Sequence, residues 1–148
     1  MNFVAVETAT EWCSVALWRD GDIVSLERRA GNQQGEFVLP MLEQLFARMR
    51  LAMKDLDAIA FGAGPAAFTG LRIACGVAQG LALARGLPVI RVPTLAATAA
   101  ESWAPRALMA LDARTLAVYT AAAAPRVGVG VPRWPDVRTA PCRPPGPP

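Results

Sequence analysis

Hydrophobic and polar residues alternate over most of the first thirty positions, which is the pattern of β-strands with one buried face. Two short breaks interrupt this region, a hydroxyl-rich turn after Thr8 and a turn at Asp20-Gly21. We therefore predict three consecutive antiparallel strands joined by short turns. The predicted strands are Phe3–Thr8, Cys13–Trp18 and Ile23–Arg29.

From Glu36 the apolar residues recur at helical spacing, which predicts a first helix that ends at about Arg50. Pro40 fits this helix only in or near its first turn. Short apolar runs then alternate with helical patterns. The remaining predictions are strands at 57–61, 89–92, 107–111 and 116–123 and helices at 69–85 and 94–103, the last one capped by Thr94. This order predicts an α/β fold with helices layered on a mixed sheet.

The helix predicted from Thr69 to Arg85, called helix two below, is apolar around nearly its whole circumference. Thr69 is its expected N-cap. Its polar residues form only a narrow stripe of Arg72, Cys75 and Gln79. Such a helix must be buried on two sides, and the sheet of a small domain covers only one of them.

The two apolar sides of helix two follow from the helical period. The side expected to face the sheet consists of Leu71, Ala74, Ala78 and Leu81. The other side consists of Gly76, Gly80, Leu83 and Ala84. An exposed apolar face of this kind usually marks an interface. Its neighbour is the first helix, a second copy or a different protein, and the pattern leaves all three open.

The composition removes several classes of catalytic site. Histidine is absent, which excludes Ser-His triads, Cys-His pairs and His-ligated metals. The formal net charge of +3 comes from residues 125–148, which contain four arginines and one aspartate. Residues 1–124 are therefore neutral and lack the basic surface of a nucleic-acid-binding protein. Any role with RNA is expected to be indirect.

A glycine-rich loop precedes helix two, at a position where backbone N–H groups can receive an anion. The loop has neither the Lys-Ser/Thr of a Walker A motif nor GxGxxG spacing. The candidate cofactor-binding residues are Glu7, Thr8, Gly64, Thr69 and Gly70. The alternative is a tight connection that needs glycine for its backbone angles, next to a solvated turn at Glu7 and Thr8.

Three scattered cysteines, Cys13, Cys75 and Cys142, are too few for a disulfide framework or a zinc cluster and indicate a reducing compartment. The N-terminal residues lack the pattern of a signal peptide. The longest apolar run, between Arg72 and Arg85, is too short to cross a bilayer. We therefore expect a cytoplasmic protein.

Residues 125–148 differ in composition from the rest of the chain, because they hold 8 of the 13 prolines and show no periodicity. We expect a folded region at 1–124 followed by a disordered Pro/Arg-rich tail. A ligand for an SH3-like groove and out-of-frame translation are the two alternatives for this tail.

Several segments, taken in order, resemble the TsaB (YeaZ-type) family. They are Glu7–Thr10 followed by CSVALW, Leu39–Leu42 (LPML), Gly64–Ala74 (GPAAFTGLRIA), Val77–Ala84 (VAQGLALA) and Leu111–Arg114 (LDAR). The resemblance covers residues 2 to about 120 and implies an ASKHA (actin-like ATPase, ribonuclease H-like) lobe. It ends near Tyr119, so we expect the first lobe without the family's second lobe, and marginal stability and self-association for the isolated chain.

The resemblance also implies a function. Family members resemble the TsaD catalytic subunit but lack its metal-binding histidines, which implies a non-catalytic partner. Such a partner binds TsaD and, with TsaE, takes part in the threonylcarbamoyladenosine modification of tRNA. The family's subunit contact resembles a bundle of the first two helices of each partner, which also allows a homodimer. The candidate partner-binding residues are Leu39, Leu42, Phe46, Gly76, Gly80 and Leu83.

This sequence departs from the family pattern in the candidate cofactor region. Ala66 and Ala67 replace a usual Gly-Ser, and Glu7 replaces a usual Asp. Leu116 and Ala117 stand where glycine and glutamate are expected. We therefore expect that the chain itself requires no cofactor, and ATP at the complex is left open. The alternative functions are an ASKHA-type nucleotide-binding protein or enzyme that uses the loop, and a non-functional truncated product.

Overall fold

A computed structural model describes residues 1–102, 106–113, 117–123 and 138–141. The chain divides into two units, Met1–Val92 and Pro93–Pro148. The boundary expected between residues 124 and 125 lies outside the described residues, and it stays a prediction. Each unit is described by itself.

The first unit is built on a five-stranded sheet, and its mixed parallel and antiparallel pairing agrees with the prediction. Its strands are β1 (Asn2–Glu7), β2 (Trp12–Arg19), β3 (Asp22–Arg29), β4 (Ala58–Gly62) and β5 (Val89–Val92). They are arranged in the order β3-β2-β1-β4-β5. The first three strands are antiparallel neighbours, whereas β4 runs parallel to β1 and β5 runs parallel to β4. Parallel pairing requires a crossover, and the crossover from β4 to β5 is a helix.

Two helices accompany this sheet, and their ends differ slightly from the predicted ones. Helix α1 covers Gln34–Met49 and helix α2 covers Phe68–Leu83, with a 3₁₀ turn at Met53–Asp55 between them. Thr69 is not the N-cap, because the helix begins one residue earlier and its N-cap is Ala67, without a side-chain hydrogen bond. The N-terminus of α2 is therefore uncapped by any side chain.

Pro40 lies in the second turn of α1, next to the first turn and not within it. The proline ring removes one helical hydrogen bond, which would involve the carbonyl of Glu36. Glu36 and Pro40 are both exposed, so the loss falls on the solvent side of the helix. The buried side of α1 continues without interruption to Leu45.

The hydrophobic core lies between the two helices and one face of the sheet. Its sheet side consists of Val4, Val6, Cys13, Val15, Leu17, Ile59 and Phe61. Its helix side consists of Val38, Met41, Leu42 and Leu45 from α1 and Ala74, Ala78 and Ala82 from α2. The parallel register brings Val4 next to Ile59 and Val6 next to Phe61, so both strands present large residues to the same face.

The buried row of α2 consists almost entirely of small residues. Its members are Gly70, Ala74, Ala78 and Ala82, which recur every four positions. Ala74 and Ala78 face the core as predicted, whereas Leu71 and Leu81 flank this row and are only half-buried. A row of small side chains lets the helix axis approach its neighbours closely.

The described residues of the second unit form one helix and a three-stranded antiparallel sheet. Helix α3 covers Thr94–Glu101, and the strands are β6 (Ala107–Asp112), β7 (Ala117–Ala123) and β8 (Arg138–Pro141), in the order β6-β7-β8. The N-cap of α3 is Pro93 rather than Thr94. Strand β8 lies within the tail that was expected to be disordered, so that expectation is wrong for these four residues. The predicted helix end at Trp103 lies outside the described residues.

Within the described ranges, no helix is both long enough and apolar enough to cross a membrane.

Leu39 and Leu42 lie on the same helix but differ sharply in burial, which gives a direct test of where the core lies. Leu42 is 2% exposed and Leu39 is 50% exposed. We expect Leu42→Ala to lower the free energy of unfolding by about 2–5 kcal/mol because it leaves a cavity. Leu39→Ala is expected to cost less than about 1 kcal/mol. Urea unfolding of both variants checks this, and equal losses would contradict the position of the core.

Candidate functional site

The outer face of α2 is exposed along its whole length. We define it by the residues Phe68, Thr69, Arg72, Gly76, Gly80 and Leu83, all of which are exposed. Leu83 is 86% exposed and Phe68 is 68% exposed, which is unusual for large apolar side chains. The second apolar side of α2, which was predicted to be buried against a neighbour, is therefore exposed within the described part of the chain.

The two glycines on the outer face have no neighbour that requires them to be glycine. A Cβ atom built on Gly76 or Gly80 meets nothing within 4 Å. Both residues have ordinary helical backbone angles, since neither has a positive φ. Glycine in the interior of a helix costs about 0.5–1 kcal/mol relative to alanine. Stability of the described chain therefore gives no reason for glycine at either position.

Helix α1 lies beside this face and contributes to the same surface. A Cβ atom built on Gly35 of α1 would lie 3.7 Å from Cδ1 of Ile73 on α2, so the helices approach each other there. Leu39 is one helical turn from Gly35 on the same side of α1 and is half-exposed. We call the set of Leu39, Gly76, Gly80 and Leu83 the two-helix surface.

Two of the predicted partner-binding residues, Leu42 and Phe46, are not exposed on this surface. Leu42 is buried in the core, so it is corrected from a surface residue to a core residue. Phe46 is half-buried and packs against the core. The family resemblance implied all three residues. Leu42 lies about 60° around the helix from Leu39, and in this packing that rotation places Leu42 against the core and leaves Leu39 exposed.

A cation–π pair at the start of the outer face was not identified in the sequence. The Arg72 guanidinium carbon lies 3.9 Å from the centroid of the Phe68 ring. The spacing of four residues on one helix face is the signal that could have found it. The pair places an aromatic ring and a positive charge at the N-terminal end of the outer face.

The candidate cofactor residues lie around the carboxyl ends of β1 and β4, where the loop enters α2. Thr8 is buried, and its Oγ1 donates a hydrogen bond of 2.7 Å to the carbonyl of Gly70. A Cβ atom on Gly70 would collide with the carbonyl oxygen of Thr8. Gly70 is therefore required by a close approach between the end of β1 and the first turn of α2. Thr69, its neighbour, is exposed.

The Glu7 carboxylate also contacts its own chain. Its Oε1 accepts a hydrogen bond of 2.7 Å from the backbone N–H of Ala9. A side chain at Gly62 would occupy the space of this carboxylate. Gly64 has a φ of 86°, and the Gly64-Pro65 peptide bond is cis. The Thr8 hydroxyl thus joins the end of β1 to α2, which agrees with the predicted alternative of a tight connection. The solvated turn expected there is wrong for Thr8, which is fully buried, and cofactor binding stays a prediction.

The thiols of the first unit differ in environment. Cys13 is fully buried in the core, and burial raises the pKa of its thiol to about 11. Cys75 on α2 is half-buried. Over the described ranges no three His, Cys, Asp or Glu side chains come together as a set of metal ligands.

The amino-acid sequence is similar to known proteins over most of its length. A family model described as "TsaD: tRNA N6-adenosine threonylcarbamoyltransferase" matches residues 28–130. The "tRNA threonylcarbamoyladenosine biosynthesis protein TsaB" of Escherichia coli (strain K12) is 42% identical over 125 residues, which cover 82% of this chain and 54% of the relative. The chain belongs to the TsaB (YeaZ-type) family.

Solved structures agree with this membership. A crystal structure from Pseudomonas aeruginosa, described as a protein with similarity to peptidase YeaZ, superposes with a TM-score of 0.83 at 38% identity. The superposition covers 94% of this chain and 63% of that one. The TsaB-like chain thus spans about half the length of the curated relative and under two thirds of the solved one.

A more distant structure bears on the fold alone. The ethanolamine utilization protein EutJ from Carboxydothermus hydrogenoformans has a TM-score of 0.55 at 14% identity. With the YeaZ structure, it confirms the predicted class, an α/β lobe of the actin-like ATPase (ASKHA) type. The resemblance read from the TsaB motifs is confirmed, and the roles of individual residues stay predictions.

Two glycines of α2 make a matched pair for testing the close contact between this helix and the end of β1. Gly70→Ala is expected to destabilise the protein by about 1–3 kcal/mol, because its methyl group would displace the Thr8 carbonyl. Gly76→Ala is expected to stabilise it by about 0.5–1 kcal/mol, because it meets open space and favours the helix. Denaturant unfolding at one protein concentration measures both, and a stabilising Gly70→Ala would contradict the described contact.

Proposed function

We propose that this chain is a non-catalytic subunit in the biosynthesis of tRNA threonylcarbamoyladenosine, and that it binds TsaD through the two-helix surface, with TsaE as a further partner. The curated relative carries that pathway in its name, and the matching family model describes TsaD. Because the chain spans about half of that relative, the pathway role itself is part of the proposal.

The observation that carries the proposal is the outer face of α2. It combines a large exposed leucine, Leu83, with two glycines at which an added Cβ would meet nothing within 4 Å. The glycines leave a shallow surface on which the backbone of a partner helix can approach closely. Burial of Leu83 and Leu39 by that partner would remove apolar area from water, which is the main favourable term in association.

The chemistry of the first unit supports a binding role rather than a catalytic one. The hydroxyl of Thr8 and the carboxylate of Glu7 bond to the backbone of their own chain. Residues 1–124 carry no net charge, so we propose that contact with tRNA is indirect and made through the partners. A cytoplasmic location follows from the pathway and belongs to the same proposal.

The proposal predicts which substitutions abolish TsaD binding. Gly76→Arg and Gly80→Arg place a long charged side chain on the two-helix surface and are expected to reduce co-purification with TsaD of the same organism at least tenfold. Both positions are exposed and helical, so the fold is expected to persist.

Gln44→Arg is the matched control, because Gln44 is exposed on α1 and lies about 140° around the helix from Leu39. It is expected to retain binding. Wild-type levels of TsaD with both glycine variants, each shown to be folded by circular dichroism, would contradict the proposed surface. If wild-type chain forms homodimers through the same helices, the same two variants are expected to make it monomeric in light scattering.

The alternative of a nucleotide-binding protein has a separate test. We expect calorimetric titration of the isolated chain with Mg-ATP to give no saturable heat, because Thr8 and Glu7 are already engaged. Saturable binding that Glu7→Gln weakens would contradict the non-catalytic assignment and favour the nucleotide-binding alternative.

A further inference from the structure

A cleft opens beside α2, on the side of the helix next to the edge strand β5. Its volume is about 480 Å³. The residues that line it are Phe61, Ala63, Leu71, Cys75, Gln79, Val89 and Arg91. These residues come from β4 and the residue after it, from α2 and from β5, and all of them belong to the first unit.

The topology explains why this cleft is open. Phe61 pairs in register with Arg91, and Ile59 pairs with Val89, so β5 presents Val89 and Arg91 to the same face as the core residues of β4. Strand β5 is the edge of its sheet. Helix α1 approaches α2 at Ile73, on the opposite side, and so does not cover this region.

The walls of the cleft are apolar, with three polar groups among them. Phe61, Leu71 and Val89 supply the apolar surface. Arg91 is the one charged residue of the lining, and among the described side chains no carboxylate lies within ion-pair distance of it. The Gln79 amide and the Cys75 thiol complete the lining.

This combination is typical of a small-molecule site. Ligand pockets measure about 300–1,000 Å³ and are mostly apolar, with a few polar groups that fix the ligand's orientation. A guanidinium beside apolar walls is complementary to a carboxylate carried on an apolar body, because arginine can donate two hydrogen bonds to the two carboxylate oxygens.

We propose that the cleft binds a free organic monocarboxylate with a compact apolar body. The body packs against Phe61, Leu71 and Val89, and the carboxylate pairs with Arg91, with the Gln79 amide available as a further donor. The cleft uses a different side of α2 from the two-helix surface. The proposal therefore stands whether or not the chain binds TsaD.

Cys75 provides a readout located in the cleft itself. Cys13 is buried and its raised pKa keeps it protonated, so of the described thiols Cys75 is the one open to alkylation. The experiment uses the full chain with Cys142→Ser, which removes the third thiol. The rate of Cys75 alkylation by iodoacetamide is followed by mass spectrometry while 4-phenylbutyrate is added.

The expected result is saturable protection of Cys75 by 4-phenylbutyrate. The uncharged analogue 4-phenylbutanamide is expected to need about a tenfold higher concentration, because it lacks the charge-assisted contact with Arg91. Arg91→Gln is expected to remove this preference for the acid. Arg48→Gln, a matched change at an exposed arginine of α1, is expected to keep it.

Three results would overturn the proposal. They are absence of saturable protection, equal protection by the acid and the amide in the wild-type cleft, and an acid preference that survives Arg91→Gln. The comparison of the two ligands on unmodified Arg91 does not depend on the folding of any arginine variant.

Discussion

The structure of the first unit depends on the close packing of α2 against its neighbours. Every fourth residue on its buried side is glycine or alanine, from Gly70 to Ala82. At the first of these positions the helix meets the end of β1 so closely that a methyl group would displace the Thr8 carbonyl. This row of small residues therefore fixes the position of α2, and that position determines which residues of the helix face outward.

The features proposed to carry function follow from this placement. With its small row against the core and α1 near Ile73, α2 turns Gly76, Gly80 and Leu83 to the outside. On the side next to the edge strand it leaves the apolar cleft that contains Arg91. One helix thus contributes to the core, to the proposed partner surface and to the cleft proposed to bind a carboxylate.

Local patterns in the sequence predicted most strands and helices. They did not predict features that depend on contacts between residues far apart in the sequence. Alternation located the three leading strands, and the family motifs indicated the lobe. The Thr8–Gly70 contact joins residues 62 positions apart, so no local pattern predicts it. Leu42 was expected at the surface from the family resemblance, whereas its burial depends on how α1 is oriented on the sheet, which no local pattern determines. Strand β8 was missed because its partner β7, rather than its own Pro-rich sequence, defines it as a strand.

The central claim is that α2 meets its partner through its outer face, and hydrogen exchange with and without TsaD tests it most directly. The account predicts slower exchange on complex formation for peptides covering Gly76–Leu83 and the neighbouring part of α1, with β3 unchanged. Slower exchange confined to other elements, with the α2 peptides unaffected in a formed complex, would contradict it.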